Sequence, residues 1–303
     1  MLRRAVDSRE DAFPGVDPLG DDDVADYPRF EFSMKDVKRA GKVISGSMPW
    51  TDETKDEIIR AFQIANNWRD SHAYPMKSVR SQVIYYLREL EIDGSTFARL
   101  KRMQAIHRKL RRIAPGLDQL QDLGGCRAIV PTVDDVRTVA QAIRHRSGHE
   151  FRADDDYISR PKSDGYRSHH LKLNFNGTRT QNHNGRRIEI QVRTRLQHSW
   201  ATAVEAVGMF RGEHLKSHQG SDAWLRLFTL MSAEFALSEG CPVPPNVPDQ
   251  ATRILEIKAL DKELKAIDTL ENLSQAVRWT EEYVQPDDVV PKYYLIRYDN
   301  KTI

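Results

Sequence analysis

The chain has 303 residues, 39% of them hydrophobic, which is enough apolar material for the core of one large or two small domains. Its 46 Lys and Arg residues nearly balance 44 Asp and Glu residues, for a net charge of +2, so any attraction to nucleic acid must come from local patches. Two distant cysteines, Cys126 and Cys241, offer neither a disulfide framework nor metal-ligand spacing. With no apolar run long enough for a membrane span, these features predict a soluble, cytoplasmic protein without a membrane partner.

The N-terminal third divides into a tail and a helical lobe. Residues 1–29 combine acids with turn formers and show little periodic apolar pattern, which predicts a mobile acidic tail. Residues 30–93 contain three predicted helical runs with apolar residues at spacings of three and four. The breaks between them fall at Gly46–Pro49 and His72–Pro75.

A basic helix is predicted after Ser95, over FARLKRMQAIHRKLRRIA, with an apolar stripe that begins at Phe97. The opposite face carries seven basic residues and no acid. Such a face is by default a solvated surface whose aliphatic stems cover apolar neighbours. A cluster without acids repels itself, however, and the phosphates of a nucleotide or a nucleic acid would relieve that repulsion.

After Pro115 and Gly116 the sequence changes to short apolar runs separated by turns, which predicts strands. A helix capped by Thr132 or Asp134 lies between the first strand and the rest. Strand, helix and then a meander of strands favour an α+β fold, in which helices flank a mixed β-sheet. Strands are predicted in CRAIV (126–130), HEFRA with DYIS (149–159), HHLKLNF (169–175) and RRIEIQVRT (186–194).

The C-terminal part is predicted to be mostly helical. Residues 196–238 show helical periodicity with tryptophans that suit a core, and CPVPPNVP (241–248) is a Pro-rich linker. Beyond the linker, LDKELKAIDTLENLSQAVRWTEEYV is predicted to form one amphipathic helix, and YYLIRYDNKTI a strand and turn.

Two acids are candidates for phosphoryl-type chemistry, which needs an acid-held divalent metal and cations on the phosphates. Asp122 precedes two glycines at the start of a predicted strand, where it either faces a site or caps a turn. Glu189 alternates with apolar residues along a predicted strand, and it shares one face of that strand with Gln191 and Arg193. A polar strand face is usually only solvated, but this order of acid, amide and guanidinium also suits a metal and its phosphates.

The stretch DDDYISRPKSDGYRSHH (154–170) mixes acids with donors and an aromatic ring. Lys162 lies in a loop, and Tyr166 follows a glycine that would leave room for its ring over a base, although a loop tyrosine is more often packed. His169 and His170 are expected on opposite faces of a strand, which makes them poor joint metal ligands. His198 is most simply a polar residue at the start of a helix.

Five pieces of the sequence form a recognisable series when taken together in chain order. They are RLKRMQAIHRK (99–109), DLGGCR (122–127), DYISRPKSDGYRSHH (156–170), EIQVRT (189–194) and QHSWA (197–201). In this order they resemble the synthetase domain of the RelA/SpoT family of alarmone pyrophosphokinases. The resemblance covers about Ser95 to Lys216 and implies a nucleotidyltransferase-like sheet, with extra helical elements at both ends. It implies a synthetase domain at 94–240 and a C-terminal extension at 241–303.

The resemblance implies transfer of the β,γ-diphosphate of ATP to the 3′-hydroxyl of a second nucleotide. It implies that Asp122 and Glu189 bind Mg²⁺, and that Glu189 also takes the proton of the acceptor hydroxyl. ATP would be held by four basic residues, of which the two arginines stack on adenine: Arg99, Lys101, Lys109 and Arg127. On the acceptor side, the ring of Tyr166 would stack on the base. The other residues of this side would be Lys162, His170, Gln191, Arg193 and His198.

The identity of the acceptor stays open. GDP or GTP is the first hypothesis, and the 3′ end of tRNA is its rival, because NNWRDSHAYP (66–75) and the extension resemble a branch with toxin-like members. The family's Glu-His pair is also altered, with Ala206 where His is expected. A different hypothesis is a catalytically idle regulator that binds nucleotide or RNA. The extension either responds to a protein trigger or completes the core, and small family members often form homo-oligomers.

Overall fold

A five-stranded mixed sheet forms the centre of the computed structural model, with helices packed around it. Strands β2 and β5 are parallel, and every other neighbouring pair in the sheet is antiparallel, in the order β1-β2-β5-β4-β3. This architecture confirms the predicted α+β class. The structure describes residues 27–113, 116–177, 181–210, 222–283, 297–298 and 301–302. The strands are β1 (Ser95–Leu100), β2 (Gly124–Val130), β3 (Glu150–Asp156), β4 (His169–Asn174) and β5 (Arg187–Thr194).

Strand β1 occupies the place where the sequence predicted the start of the basic helix, and that prediction was wrong here. Ser95 lies opposite Ile129 and Leu100 opposite Gly124, so β1 extends the sheet along the free edge of β2. Phe97, expected on the apolar stripe, is 56% exposed. A spacing of three between apolar residues does not separate helix from strand over so short a segment, and the unpaired edge of β2 decides the outcome.

The basic helix itself is α4 (Met103–Ile113), and the three helical runs of the N-terminal lobe are confirmed. In α4, Ile106 and Leu110 are buried against residues of the first two helices, including Val37 and Trp68. The third helix instead packs on the sheet, and its buried residues belong to the same hydrophobic cluster as those of the strands. The lobe's helices are α1 (Met34–Ser45), α2 (Lys55–Asp70) and α3 (Ala73–Glu89).

Helix α5 (Val133–Arg146) covers the apolar face of the sheet with Val136, Val139 and Ile143. Thr132 is its N-cap: its hydroxyl accepts from the Asp135 amide at 3.1 Å, and the Asp135 carboxylate accepts in return from the Thr132 amide at 3.0 Å. This reciprocal capping box decides between the two predicted caps in favour of Thr132.

The last helices are α6 (Arg195–Phe210), α7 (Asp222–Ser238), α8 (Gln250–Leu264) and α9 (Ala266–Tyr283). The prediction of one helix over residues 260–284 was wrong. Lys265 adopts a left-handed conformation (φ 49°), which ends α8, and the buried Ala266 then starts α9 against the core around Trp200. Two short paired strands complete the described structure, β6 (Arg297–Tyr298) and β7 (Lys301–Thr302).

Two further predictions meet the structure only in part. The run DYIS is not a strand, because β3 ends at Asp156, whose carboxylate accepts from the amides of Ile158 and Ser159 at 2.9 Å each and so forms a turn. The predicted tail lies outside the described residues up to position 26, and Tyr27 packs edge-on against Tyr74. No helix within the described ranges is long and apolar enough to cross a membrane.

Candidate active site

The register of the sheet brings the predicted site residues onto one face. Arg127 of β2 pairs with Gln191 of β5, which pairs in turn with His170 of β4. Gly125 pairs with both Arg99 and Glu189. Directly paired residues point to the same side of a sheet, so these side chains share a face, while the buried Ile188 and Ile190 point to the other. His169 also points away, as predicted, and it contacts Asp154.

Glu189 is a buried carboxylate with both oxygens hydrogen-bonded. His170 Nδ1 lies 3.0 Å from its Oε1, and Gln191 Nε2 donates to its Oε2 at 3.0 Å. Burial alone would raise the pKa of Glu189, but its hydrogen bonds with His170 and Gln191 and the electrostatic interactions with His170 and Lys172 lower it to about 2. Glu189 is therefore ionised at neutral pH.

A chain of hydrogen bonds continues from Glu189 through His170 to residues 160–168, which are called the acceptor loop after their predicted role. His170 Nε2 lies 2.7 Å from the Tyr166 hydroxyl, and Arg193 Nη2 donates to the same hydroxyl at 2.6 Å. Burial lowers the pKa of His170 below 6.5, although the hydrogen bond that His170 donates to Glu189 opposes this shift. Burial also raises the pKa of Tyr166. A neutral His170 with its proton on Nδ1 satisfies both neighbours, because Nε2 can then accept from Tyr166.

Asp122 lies two residues before β2 between two lysines. Lys101 and Lys109 each donate an ammonium hydrogen to its Oδ2 at 2.8 Å. Burial would raise the pKa of Asp122, but the two lysine charges and hydrogen bonds lower it. The other oxygen, Oδ1, is buried and has no hydrogen-bond partner within the described part of the chain.

Asp122 has one carboxylate oxygen that fits a divalent cation arriving with a nucleotide. The unpartnered Oδ1 of Asp122 is a free anionic ligand atom, and Mg²⁺ is commonly held by one or two carboxylates together with substrate phosphates. Over the described residues, no group of three or more His, Cys, Asp or Glu side chains could hold a metal by itself. The residues therefore suit a metal shared with substrate rather than a closed structural site.

Two arginines and a phenylalanine form the outer part of this face. Burial lowers the pKa of Arg127 to about 10, and its Nε is buried without a hydrogen-bond partner among the described residues. Arg127 is still charged at neutral pH. Arg99 is exposed on β1 rather than on the predicted helix, and Phe97 lies directly opposite Arg127. A partly buried cation with an unused, buried donor favours an anionic ligand at this edge of the sheet.

The acceptor loop supplies the remaining side chains. The Lys162 ammonium lies 4.2 Å from the ring centroid of Tyr157 and 5.2 Å from that of Tyr166. The Tyr166 ring packs edge-on against His170 and Trp200, so it forms a partly buried wall of the site. His198, the last predicted residue, lies in the first turn of α6 and is half-buried.

Two residues of this face were not predicted. Lys172 pairs with Glu189 across the strands and donates to Asp155 at 2.7 Å, so it adds a cation to the same side. The alternation in HHLKLN, which places it on the His170 face, was a usable signal. Tyr157 follows the acidic run, and its position under Lys162 depends on a turn that the sequence pattern did not indicate.

A sequence model of the region found in RelA/SpoT proteins matches residues 98–213. The chain is 31% identical over 131 residues to the GTP pyrophosphokinase YjbM of Bacillus subtilis, covering 41% of this chain and 62% of that protein. It is 28% identical over 150 residues to the GTP pyrophosphokinase of Haemophilus influenzae, covering 48% of this chain and 19% of that protein. The chain thus spans less than two thirds of the length of both relatives. The solved small alarmone synthetase 2 from Bacillus subtilis aligns with a TM-score of 0.48 at 22% identity, over 57% of this chain and 92% of that one.

Proposed function

We propose that residues 98–213, which match the RelA/SpoT sequence model, form a synthetase domain, and that the protein is an ATP-dependent pyrophosphokinase that acts on GDP or GTP. The names of the curated relatives support the reaction class. The observation that carries the proposal is the buried, ionised Glu189, held by His170 and Gln191 on the sheet face that also presents Arg127. Asp122 and its two lysines lie at the start of the neighbouring strand.

The proposed reaction joins the acceptor 3′-oxygen to the β-phosphorus of ATP. The bond between that phosphorus and the oxygen of the α-phosphate breaks, so AMP leaves and the acceptor gains a diphosphate. Lys101 and Lys109 neutralise Asp122 in the free protein, and in the proposed complex their ammonium groups turn to the phosphates of ATP. Arg99 and Arg127 hold the adenine end of ATP.

Asp122 and Glu189 are the residues that would hold Mg²⁺. When bound, the cation would neutralise phosphate charge and stabilise the charge that develops on the transferred group. Glu189 accepts a hydrogen bond from the acceptor hydroxyl and, finally, its proton. A carboxylate with a pKa of about 2 is a weak base, so the proton moves as the new bond forms and not before it.

The acceptor is bound on the side of the loop at 160–168. Tyr166 and Arg193 form a hydrogen-bonded wall there, and Lys162 lies over it as a cation for the acceptor's phosphates. His170, Gln191 and His198 complete this side. A tRNA 3′ end is the second candidate acceptor, favoured by exposed arginines in and just before α4: Arg102, Arg111 and Arg112.

The test is incubation of the purified protein and Mg²⁺ with ATP labelled at the γ-phosphate, with GDP, GTP and total tRNA in separate reactions. Label in a more highly charged guanine nucleotide is the expected result. Label on tRNA would show that the acceptor is a tRNA 3′ end, while the transfer of diphosphate from ATP would stand as proposed. Bound ATP without transfer to any acceptor would contradict the proposal and favour a regulator that only binds nucleotide or RNA.

A further inference from the structure

We propose that Glu239 is a positioning residue that holds Tyr166 and Arg193 together on the acceptor side of the site. The inference rests on the proposed function, because it assigns a task within that site. Glu239 follows the end of α7 at Ser238 and therefore lies outside the matched region 98–213.

The Glu239 carboxylate accepts hydrogen bonds from three different elements. Its Oε2 accepts from Arg167 Nη1 of the acceptor loop at 2.5 Å and from Gln197 Nε2 of α6 at 3.1 Å. Its Oε1 accepts from the hydroxyl of Thr194, the last residue of β5. The Arg167 side chain is 2% exposed and that of Glu239 is 11% exposed, so the cluster is shielded from water.

Two of the three partners of Glu239 are the chain neighbours of the residues that form the wall of the site. Arg167 follows Tyr166, and Thr194 follows Arg193, while the Tyr166 hydroxyl and Arg193 Nη2 are 2.6 Å apart. One carboxylate thus fixes both backbone segments next to this contact. Because Tyr166 also contacts His170, the position of the loop is linked to the side chain that orients Glu189.

Helix α7 holds the same loop segment at a second point. Ser232 Oγ donates to the carbonyl of Gly165 at 2.5 Å and accepts from Arg167 Nε at 3.3 Å. Gly165 has a φ of +87°, and a Cβ there would lie 2.9 Å from the Ser232 Cβ and 3.2 Å from the Thr229 Cα. The loop can approach α7 this closely only with glycine at that position. Glu239 and Ser232 together clamp the segment Gly165–Arg167 on α7.

A purely structural ion pair would behave differently from a positioning residue. Removal of one partner of any buried pair destabilises a protein, because the other charge stays buried and unpaired. That loss would lower the stability without distinguishing the two substrates. A positioning role instead predicts weaker use of the acceptor and an unchanged use of ATP, since Lys101 and Lys109 lie on other elements.

The experiment compares Glu239→Gln with Glu234→Gln in the full chain. Glu234 is the matched control: it lies on α7 and accepts from Arg253 Nε at 2.7 Å and Gln250 Nε2 at 3.0 Å, away from the loop. We expect the KM for the acceptor to rise about tenfold or more in Glu239→Gln, with the KM for ATP changed by less than about twofold. Glu234→Gln should change neither. Equal changes of both KM values in Glu239→Gln, or no change, would overturn the proposal.

A second readout does not depend on activity. Amide hydrogen exchange in the loop, whose Gly165 amide donates to the Lys162 carbonyl at 3.0 Å, should accelerate in Glu239→Gln and not in Glu234→Gln. If the wild type transfers no diphosphate, the proposed function fails while this measurement still tests the clamp. Loop exchange equal to that of the wild type would refute the positioning role whatever the activity.

A milder pair of variants covers the case in which Glu239→Gln does not fold. Thr194→Val removes the hydroxyl that donates to Glu239, whereas Thr194→Ser keeps it. Thr194→Val should raise the acceptor KM several-fold, about threefold to tenfold, and Thr194→Ser should restore it to the wild-type value. An acceptor KM that is the same in both variants would count against the proposal.

Discussion

His170 and Glu189 are hydrogen-bonded across neighbouring strands, with His170 Nδ1 3.0 Å from Glu189 Oε1. Both side chains are almost fully buried, so neither can exchange its partner for water without moving. Burial keeps the pKa of His170 low, and the hydrogen bonds keep that of Glu189 at about 2. A neutral imidazole therefore orients an ionised carboxylate at neutral pH.

Glu189→Gln should abolish turnover and retain nucleotide binding. The amide keeps the shape of the side chain but loses the charge that would hold Mg²⁺ and accept the proton, so we expect kcat to fall by about 10³-fold or more. ATP affinity, measured by calorimetry, should stay within about threefold, because the basic residues remain. Glu150→Gln, an exposed change on β3, is the control. Full activity of Glu189→Gln would remove Glu189 from the proposed reaction.

Lys109→Met should weaken ATP use. The ammonium of Lys109 is one of two that lie on Asp122, and its loss removes one cation from the proposed phosphate site. We expect the KM for ATP to rise about tenfold, with the acceptor KM nearly unchanged. Arg111→Met removes an exposed charge from the same helix and should have little effect. Similar ATP KM values for both variants would show that the general basicity of α4, and not this contact, matters.

Gly165→Ala should destabilise the protein more than Gly148→Ala. Both glycines have positive φ values, +87° and +69°, but only at Gly165 would a Cβ meet other atoms at contact distances below 3.4 Å. Backbone strain of roughly 1–3 kcal/mol is common to both, and the clash on α7 adds to the cost at Gly165 alone. Denaturant unfolding gives the two free energies. Equal losses would mean that the loop relaxes away from α7 without cost.

The buried His72 should make stability fall as the pH is lowered. Burial lowers its pKa from 6.5 to about 3, so the unfolded chain binds a proton between these values and the folded protein does not. The stabilising contribution is complete above pH 6.5 and decreases as the pH falls towards 3, by a few kcal/mol. His72→Gln should flatten the dependence of the unfolding midpoint on pH in this window. The exposed His145→Gln should leave the slope unchanged, and a wild-type slope in His72→Gln would contradict the assignment.

Deletion of the chain after Pro248 should destabilise the catalytic part. Ile257, Leu260 and Ala266 pack into the cluster around Trp200 and Phe228, next to the wall formed by Tyr166. Their removal exposes apolar surface, so we expect a lower unfolding temperature and binding of a hydrophobic dye. A truncated protein that is as stable as the full chain but more active would instead support a regulatory extension.

The sequence by itself determined the features that follow local periodicity. Alternation in RRIEIQVRT placed Glu189, Gln191 and Arg193 on one face, and the strand and its polar face are present as predicted. The three lobe helices and the helix after Thr132 were equally accessible, because caps and apolar spacing are encoded within a few residues. The motif order also predicted the stretch that the RelA/SpoT sequence model matches.

Tertiary structure alone decided the features that depend on distant partners. Residues 95–100 form a strand because β2 offers them an unpaired edge, and the helix expected over 260–284 is interrupted at Lys265 where Ala266 packs into the core. Glu239 is 72 residues from Arg167 and 45 from Thr194, so no local pattern could indicate that it joins them. Local sequence sets which face of an element is buried, whereas the contacts that satisfy buried charges arise only when the elements meet.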